Sequence, residues 1–257
     1  MPTVDDHVVA AALELDAAER NRVGVPLFSS RPAGLTEHDA WGIAAERDRL
    51  RADRSEIHTG YKLGWTSEPM RRALGIARPN YGALWAYMHL EDGVLEGGRL
   101  IHPKAEPEIA FLADSVLGGA AITADDIARA GRWAVALEIV DPRWDTWAFD
   151  WLDNTADGSS AAAYVLGPFH HTSTRPELFH LTMSSGGVSR EGTGAAAMGS
   201  PAEAVAYLVR QLHERGEVLE PGLVVLTGGL TAPIDLGPDV TLHVSSPELG
   251  SCALRCL

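Results

Sequence analysis

The chain has 257 residues, 46% hydrophobic and 22% charged, a composition that fits a globular protein and excludes a disordered one. Its formal net charge of −14, with no basic run to offset it, argues against nucleic acid as the main partner. No apolar run is long enough to span a bilayer, and no N-terminal stretch combines a charged start, an apolar core and a cleavage site, so a cytoplasmic location is expected.

Residues 4–21 read as a helix, with Val8, Val9, Ala12, Leu13 and Leu15 as its apolar positions. After the turn-rich stretch 26–34, a second helix is predicted from Thr36, where Thr36 and Asp39 resemble a capping box, to about residue 54. These helices form an N-terminal cap or oligomer arm, residues 1–58, ahead of a larger domain, 59–257. A strand is predicted over 60–65. Ser67-Glu68-Pro69 then starts a short helix that Gly75 ends. Residues 78–82 read as a loop by their turn residues, and 84–88 and 99–102 as short strands. Thr123 caps a helix to about residue 129, closed by Gly131.

Further on, strands are predicted over 164–169 and 179–183, with a hairpin turn at Ser185-Gly186-Gly187. A helix runs from Ser200-Pro201 to Gly216, and strands follow over 223–227, 240–244 and 251–257. Cys252 and Cys256 are the only cysteines. Four apart on an extended strand they would lie about 13 Å from each other, too far for a disulfide, so both are expected as free thiols. Helices first and many short strands after them make an α+β chain, not a repeated βαβ fold.

The stretch of most chemical interest is Ala105-Glu106-Pro107-Glu108-Ile109-Ala110-Phe111-Leu112, apolar enough for a core strand yet interrupted by two carboxylates. Alternation along a strand puts Glu106 and Glu108 on one face and Ile109 and Phe111 on the other. Two buried anions so placed repel each other and lose hydration unless a cation sits between them. A second apolar strand, 133–140, carries Glu138, with Ala134 and Ala136 on its face leaving room beside it. Three carboxylates with small neighbours and no Cys or His suit an oxygen-ligand site for a hard cation, Mg²⁺ first and Mn²⁺ second. The plainer alternative is pairing with Arg or Lys, or an exposed strand face. The segment 141–147 mixes charges with Trp144 and Trp147, which read as packing or pocket wall. His170-His171 is a doublet without partner ligands and reads as surface.

Several stretches together resemble the fumarylacetoacetate hydrolase superfamily, in particular its 2-hydroxypenta-2,4-dienoate hydratases and 4-oxalocrotonate decarboxylases. They are Gly60-Tyr61-Lys62-Leu63-Gly64 with Thr66-Ser67, Pro79-Asn80-Tyr81-Gly82, and Pro103-Lys104-Ala105-Glu106-Pro107-Glu108-Ile109-Ala110. Ala136-Leu137-Glu138-Ile139-Val140-Asp141 with Arg143, Ala156-Asp157 and Leu226-Thr227-Gly228-Gly229-Leu230-Thr231 continue the set in the family's order. The resemblance implies a mixed β-roll core with an N-terminal helical region, assembled as a homo-oligomer and able to associate with a pathway partner enzyme. It implies that Glu106, Glu108 and Glu138 hold Mg²⁺ or Mn²⁺. Lys62 is the implied balancing cation, with Arg143 and Lys104 behind it. Lys62, Asn80 and Arg143 are the implied catalytic residues. Tyr81, Asp157, Ser160, Thr227, Gly228 and Gly229 are implied to face the substrate.

A 2-oxo acid chelated at such a metal becomes an electron sink. It can lose CO₂, or its dienol can be protonated and take up water. Hydratases of this branch usually carry aspartate where this chain has Asn80, and Gly158 stands where both groups usually carry asparagine. Asn80 cannot exchange a proton at neutral pH. Decarboxylation of a 2-oxo-3-enedioate is therefore the expected reaction, with hydration, C–C hydrolysis and a catalytically weakened partner subunit as alternatives. A cation at the far end of the pocket would indicate a dicarboxylate substrate, and an apolar end a monocarboxylate.

Overall fold

The computed structural model describes residues 5–257, so the predicted helix start at residue 4 lies outside the described residues. Helix α1 (Asp6–Asn21) ends at Arg22, which turns left-handed. Helix α2 (Glu37–Asp53) opens on the predicted capping box: Thr36 Oγ1 accepts from the Asp39 amide while the Asp39 carboxylate accepts from the Thr36 amide. Val8, Ala12 and Leu15 of α1 share a buried cluster with Ala40 and Ile43 of α2, and with Phe28, Trp144 and Ala156. The helical region is therefore packed onto residues far along the chain.

The remaining elements follow in order: β1 (His58–Gly64), α3 (Glu68–Leu74), β2 (Asn80–Trp85), β3 (Val94–Leu95), β4 (Lys104–Ala113), α4 (Ala124–Arg129), β5 (Gly131–Val140), α5 (Trp151–Ala156) and β6 (Ala161–Leu166). After them come the hairpin β7 (His180–Ser185) and β8 (Val188–Thr193), α6 (Pro201–Glu214), β9 (Val224–Leu226), β10 (Ile234–Asp235), β11 (Thr241–Ser246) and β12 (Gly250–Cys256). One curled sheet has the order β2-β1-β9-β4-β5-β6, with β10 also on β4; only β1 and β9 run parallel in it. A second sheet has the order β3-β12-β11-β7-β8. The whole is the expected α+β architecture of N-terminal helices and a mixed sheet.

Alternation in β4 and β5 divides the work between two faces. Ile109, Phe111, Val135, Leu137 and Ile139 enter the main core with Leu208, Val209 and Leu212 of α6 and Leu242, Val244 and Leu254 of the second sheet. The opposite face carries Ala110, Ala134 and Ala136, whose small side chains leave the predicted space beside the glutamates.

Several expectations are corrected. Residues 80–82, read as loop, begin β2, because Asn80, Tyr81 and Gly82 pair with Gly64, Leu63 and Lys62. The next predicted strand stops at Trp85, and 86–88 form a single 3₁₀ turn. Residues 99–102 are not a strand: the amides of Ile101 and His102 donate to the Asp141 carboxylate instead of to a neighbouring strand. Gly131 opens β5 instead of closing α4. Helix α5 was not foreseen; Asp150 caps it by accepting from the Asp153 amide. Cys252 and Cys256 are free, as expected.

Gly82 lies so close to Gly158 that a Cβ there would overlap the Gly158 carbonyl. Gly82→Ala is expected to destabilise the fold by about 3 kcal/mol, the upper range for overpacking. Gly98→Ala, at φ +70 in open space, is expected to cost only about 1 kcal/mol. Urea denaturation of both variants checks this; equal losses would remove the Gly82–Gly158 contact as a constraint.

Candidate metal centre and active site

The register of β4 and β5 sets Glu106 opposite Glu138 and Glu108 opposite Ala136. One ligand oxygen from each of the three glutamates lies within 4.8 Å of the others. Glu108 and Glu138 are buried, and Glu106 opens onto a cavity. Lys62 arrives from β1 on the same side. Its Nζ is 3.0 Å from Glu138 Oε1 and donates to the Ser159 carbonyl at 2.9 Å. Glu108 Oε2 accepts from the Gly228 amide at 2.7 Å. Glu108 Oε1 and Glu138 Oε2 have no hydrogen-bond partner, and Glu138 Oε1 has only the Lys62 ammonium.

This arrangement is electrostatically frustrated. Burial, and then Glu138, push Glu106 up to about 7, against the pull of Lys62. Burial and Glu138 push Glu108 well above the usual carboxylate range. Burial would lower Lys62, but Glu138, Glu108 and Glu106 override it and hold the ammonium above its ordinary value. One ammonium faces three carboxylates, and buried oxygens are left without donors. An all-oxygen donor set of that kind fits a hard divalent cation.

The surrounding backbone is built for close approach. Thr227 donates to the Ile109 carbonyl through both its amide and its hydroxyl, at 3.1 and 2.9 Å. That anchors the turn which brings Gly228 to Glu108. At φ +104, Gly228 tolerates a conformation in which a Cβ would overlap Thr66, and a Cβ on Gly229 would sit 2.6 Å from Glu106 Oε2. On the other side, Gly158, Ser159 and Ser160 are left-handed in succession, at φ +64, +56 and +57. This turn aims the Ser159 carbonyl at Lys62. Glycine and asparagine both adopt that conformation readily, so Gly158 in place of asparagine keeps the turn.

The structure brings some of the sequence-predicted residues to the centre and sends others elsewhere. Lys62, Glu106, Ser160 and Gly229 line one cavity of about 440 Å³, with Gly228 and Thr227 directly behind it. Asn80 is buried in a layer beneath. Its Nδ2 donates to Asn154 Oδ1 and Thr155 Oγ1 at 2.9 and 3.0 Å, and its Oδ1 accepts from Ser159 Oγ at 3.0 Å. Tyr81 points away, packing on Trp41 with ring centroids 4.9 Å apart.

Arg143 and Asp157 are paired with each other and not with the cluster. Arg143 Nε donates to Asp157 Oδ1 at 2.5 Å, and its other donors go to the carbonyls of Asp141, Ala161 and Asp157. Arg47 Nη1 also donates to Asp157 Oδ1, and through Nη2 reaches Glu19 of α1. Burial would raise the Glu19 carboxyl, yet Arg51 and Arg47 overcome it and hold it far below the usual range. Ser160 Oγ donates to Asp157 Oδ2 at 3.2 Å, so this pair supports the turn under Lys62. Lys104 is also apart, 3.2 Å from Asp235 and over the ring of Trp147.

Sequence reasoning missed Asn154, Ser159 and the apolar wall of Met70, Leu74 and Phe149. The polar pair lies in the polar, Gly-containing stretch 153–160, which holds no motif that singles them out, and the apolar three carry no chemical signature. Trp147 lines the cavity while Trp144 is fully buried packing, and His170 and His171 are exposed.

Two outcomes are expected. Asp157→Ala leaves Arg47 and Arg143 buried without their carboxylate and should cost about 3–5 kcal/mol in denaturant unfolding, whereas a loss under about 1 kcal/mol would make the pair dispensable. In the metal-free protein, raised Glu106 and Glu108 mean that the folded chain binds more protons than the unfolded one. Repulsion in the cluster is absent at low pH and grows as pH climbs from 4.5 through about 7. Glu106→Gln should therefore flatten the fall of Tm with rising pH in EDTA, relative to the parent. An unchanged slope would mean that the carboxylates do not repel.

No protein-family model matches the chain. It is 32% identical over 247 residues to a 2-hydroxyhexa-2,4-dienoate hydratase of Comamonas testosteroni, covering 93% of each chain. It is 31% identical over 255 residues to a 4-oxalocrotonate decarboxylase of Pseudomonas sp. (strain CF600), covering 97% of each. Its fold matches that of 4-oxalocrotonate decarboxylase from Pseudomonas putida G7, complexed with magnesium and adipate, with a TM-score of 0.93, 29% identity and 98% of both chains covered. With full-length relatedness to both groups of enzymes and the same architecture, the chain belongs to the fumarylacetoacetate hydrolase superfamily, in the branch of the 4-oxalocrotonate decarboxylases and 2-keto-4-pentenoate hydratases.

Proposed function

We propose that the protein is a divalent-metal-dependent lyase acting on a small unsaturated 2-oxo acid, with Mg²⁺ or Mn²⁺ held by Glu106, Glu108 and Glu138. The observation that carries this reading is the buried cluster of three carboxylates with unpartnered oxygens, opening through Glu106 onto a cavity. The magnesium and adipate in the Pseudomonas putida decarboxylase support it. When bound, such a cation supplies Lewis-acid polarisation of the acid's oxygens and offsets the charge that builds on them.

The chain's own groups do the rest. Lys62 is held by the Ser159 carbonyl and Glu138, and is kept protonated by its anionic neighbours. It can donate to an oxygen that gains negative charge, an interaction stronger in the transition state than in the ground state. Ser159, Ser160 and Asn154 on the cavity wall can orient the acid's polar head. Met70, Leu74, Trp147 and Phe149 give the carbon chain an apolar wall. Among the described residues, no histidine lines this cavity, so the His–carboxylate water activation of a C–C hydrolase has no counterpart on its wall.

Between the two lyase reactions, the far wall favours hydration of a 2-hydroxy-2,4-dienoate. Among the described residues, Lys62 is the only cation lining the cavity, and it is committed to the carboxylate cluster, so none of them offers a free cation to a second carboxylate. Decarboxylation of a 2-oxo-3-enedioate is the second reading. It is favoured by Asn80, whose amide has no proton to exchange, and by a wall that, among the described residues, has no carboxylate other than Glu106 to take a proton from water.

The purified protein with Mg²⁺ is expected to consume the ultraviolet-absorbing dienol without releasing CO₂ from the dicarboxylate. CO₂ release would reverse the order of the two readings, and silence on both substrates would leave a catalytically weakened partner subunit. Lys62→Met should lower kcat about a hundredfold or more while changing KM far less, in line with loss of one oxyanion-stabilising donor. Wild-type turnover would make Lys62 structural. Glu108→Gln should abolish calorimetric Mg²⁺ binding with little loss of fold in EDTA, and unchanged affinity would sink the three-glutamate site.

A further inference from the structure

The polar wall of the cavity has a direction, set by groups that can each play only one part in a hydrogen bond. The Trp65 indole only donates, and its Nε1 gives its hydrogen to Asn154 Oδ1 at 2.8 Å. The Asp157 carboxylate, ion-paired with Arg47 and Arg143, only accepts, and its Oδ2 takes the Ser160 hydroxyl at 3.2 Å. The Thr155 hydroxyl gives its hydrogen to the Trp151 carbonyl at 2.7 Å, so toward Asn80 it is an acceptor.

Thr155 therefore fixes the Asn80 amide nitrogen toward itself and Asn154. Asn80 Oδ1 is left facing Ser159, whose hydroxyl donates to it at 3.0 Å. Trp65 and Asn80 both donate to Asn154 Oδ1, so the Asn154 nitrogen is turned to Ser160 Oγ, 2.9 Å away. Ser159 and Ser160 have thus each given their hydrogen to a group behind the wall. Toward the cavity that they line, their hydroxyls have lone pairs only. A carboxylate has no hydrogen to give such a pair, whereas a water has two. The Asn154 amide keeps one N–H for an oxygen of the acid.

Trp65 sets this pattern from a conformation rarely open to a bulky residue, with φ at +59. Its carbonyl accepts from Arg71 Nη1, and the next carbonyl, of Thr66, accepts from the Met198 amide at 3.2 Å. Strain of this kind persists where the neighbours over-determine the residue, and it clusters at functional sites.

We propose that Ser159 and Ser160 seat the water that adds to the dienoate, each accepting one of its hydrogens, and that Trp65 is the positioning residue that sets their polarity. The inference rests on the hydration reading above and names the groups that hold its second reactant. The dienol first exchanges its hydroxyl proton for one at C5. The seated water's oxygen then bonds C4, and the C3–C4 π pair passes to the 2-oxo oxygen. One proton enters at C3 for the one the water gives up, so H₂O is added whole.

The test follows 2-hydroxypenta-2,4-dienoate with the Mg²⁺-loaded protein in D₂O by NMR, comparing hydrated product with deuterium entering C5. Both quantities scale with the amount of folded enzyme, so their ratio is blind to partial unfolding. In Ser159→Gly and Ser160→Gly, which suit the left-handed backbone, the ratio should fall about tenfold, as for loss of one hydrogen bond. Trp65→Phe keeps a ring and loses the N–H, and should lower the ratio about threefold by freeing the Asn154 amide to turn. A ratio equal to the parent's in any of the three variants would overturn the inference and leave the hydration reading standing. A parent protein that adds no water to the dienol would overturn both.

Discussion

One ammonium set against three clustered carboxylates is the constraint on which the rest of this molecule depends. Lys62 cannot neutralise Glu106, Glu108 and Glu138 together, and two of the three are closed off from water. Such a cluster survives only where the fold holds its members in place against their repulsion. The antiparallel register of β4 and β5 does so from one side, and the Gly228 amide on Glu108 does so from another. The third restraint is the left-handed turn 158–160, whose carbonyl fixes the lysine. Strained backbone at this position fits a site whose geometry is over-determined by its neighbours.

The layers behind the centre explain why residues that do not touch the cavity still matter to it. Asn80 joins Asn154, Thr155 and Ser159 in one hydrogen-bonded set, in which its amide nitrogen serves two acceptors. A carboxylate at that position would have no proton to give them at neutral pH. Arg143 and Asp157 act one step further back, fastening the same turn to the helices of the N-terminal region. The charged end of the cavity and its apolar remainder thus have separate supports: ion pairs and glycines at one end, helix α3 and aromatic side chains at the other.

Much of this was legible in the sequence, for physical reasons that differ by residue. The carboxylate strand could be read because an i, i+2 pair of glutamates in an apolar run is costly and so demands an explanation. The α2 capping box and the Gly186-Gly187 hairpin could be read because their signals are local. Strand β2 could not, since Pro79-Asn80-Tyr81-Gly82 has turn composition and becomes a strand only through pairing with β1. Residues 99–102 failed in the opposite sense, because a distant carboxylate, Asp141, takes amides that a strand would otherwise use. The place of Arg143 was illegible for the same reason: a guanidinium's choice between two acidic clusters is made by tertiary structure alone.

The contacts that tie the helical region to the turn also set a clock on synthesis. Arg47 and Asp157 stand 110 residues apart, and Ser29 and Asp153 stand 124 apart. Helices α1 and α2 are made first, yet the acidic partners and the Trp144 and Ala156 that complete their core emerge from the ribosome only later. At about 5–20 residues per second, that delay is roughly 5–20 seconds. During it Val8, Ala12 and Leu15 have no far-chain surface to cover them, and Arg47 has Glu19 but not its second acid. The newly made helical region therefore stays an open amphipathic pair, a natural client for a holding chaperone, until the turn that will carry Ser159 has been made.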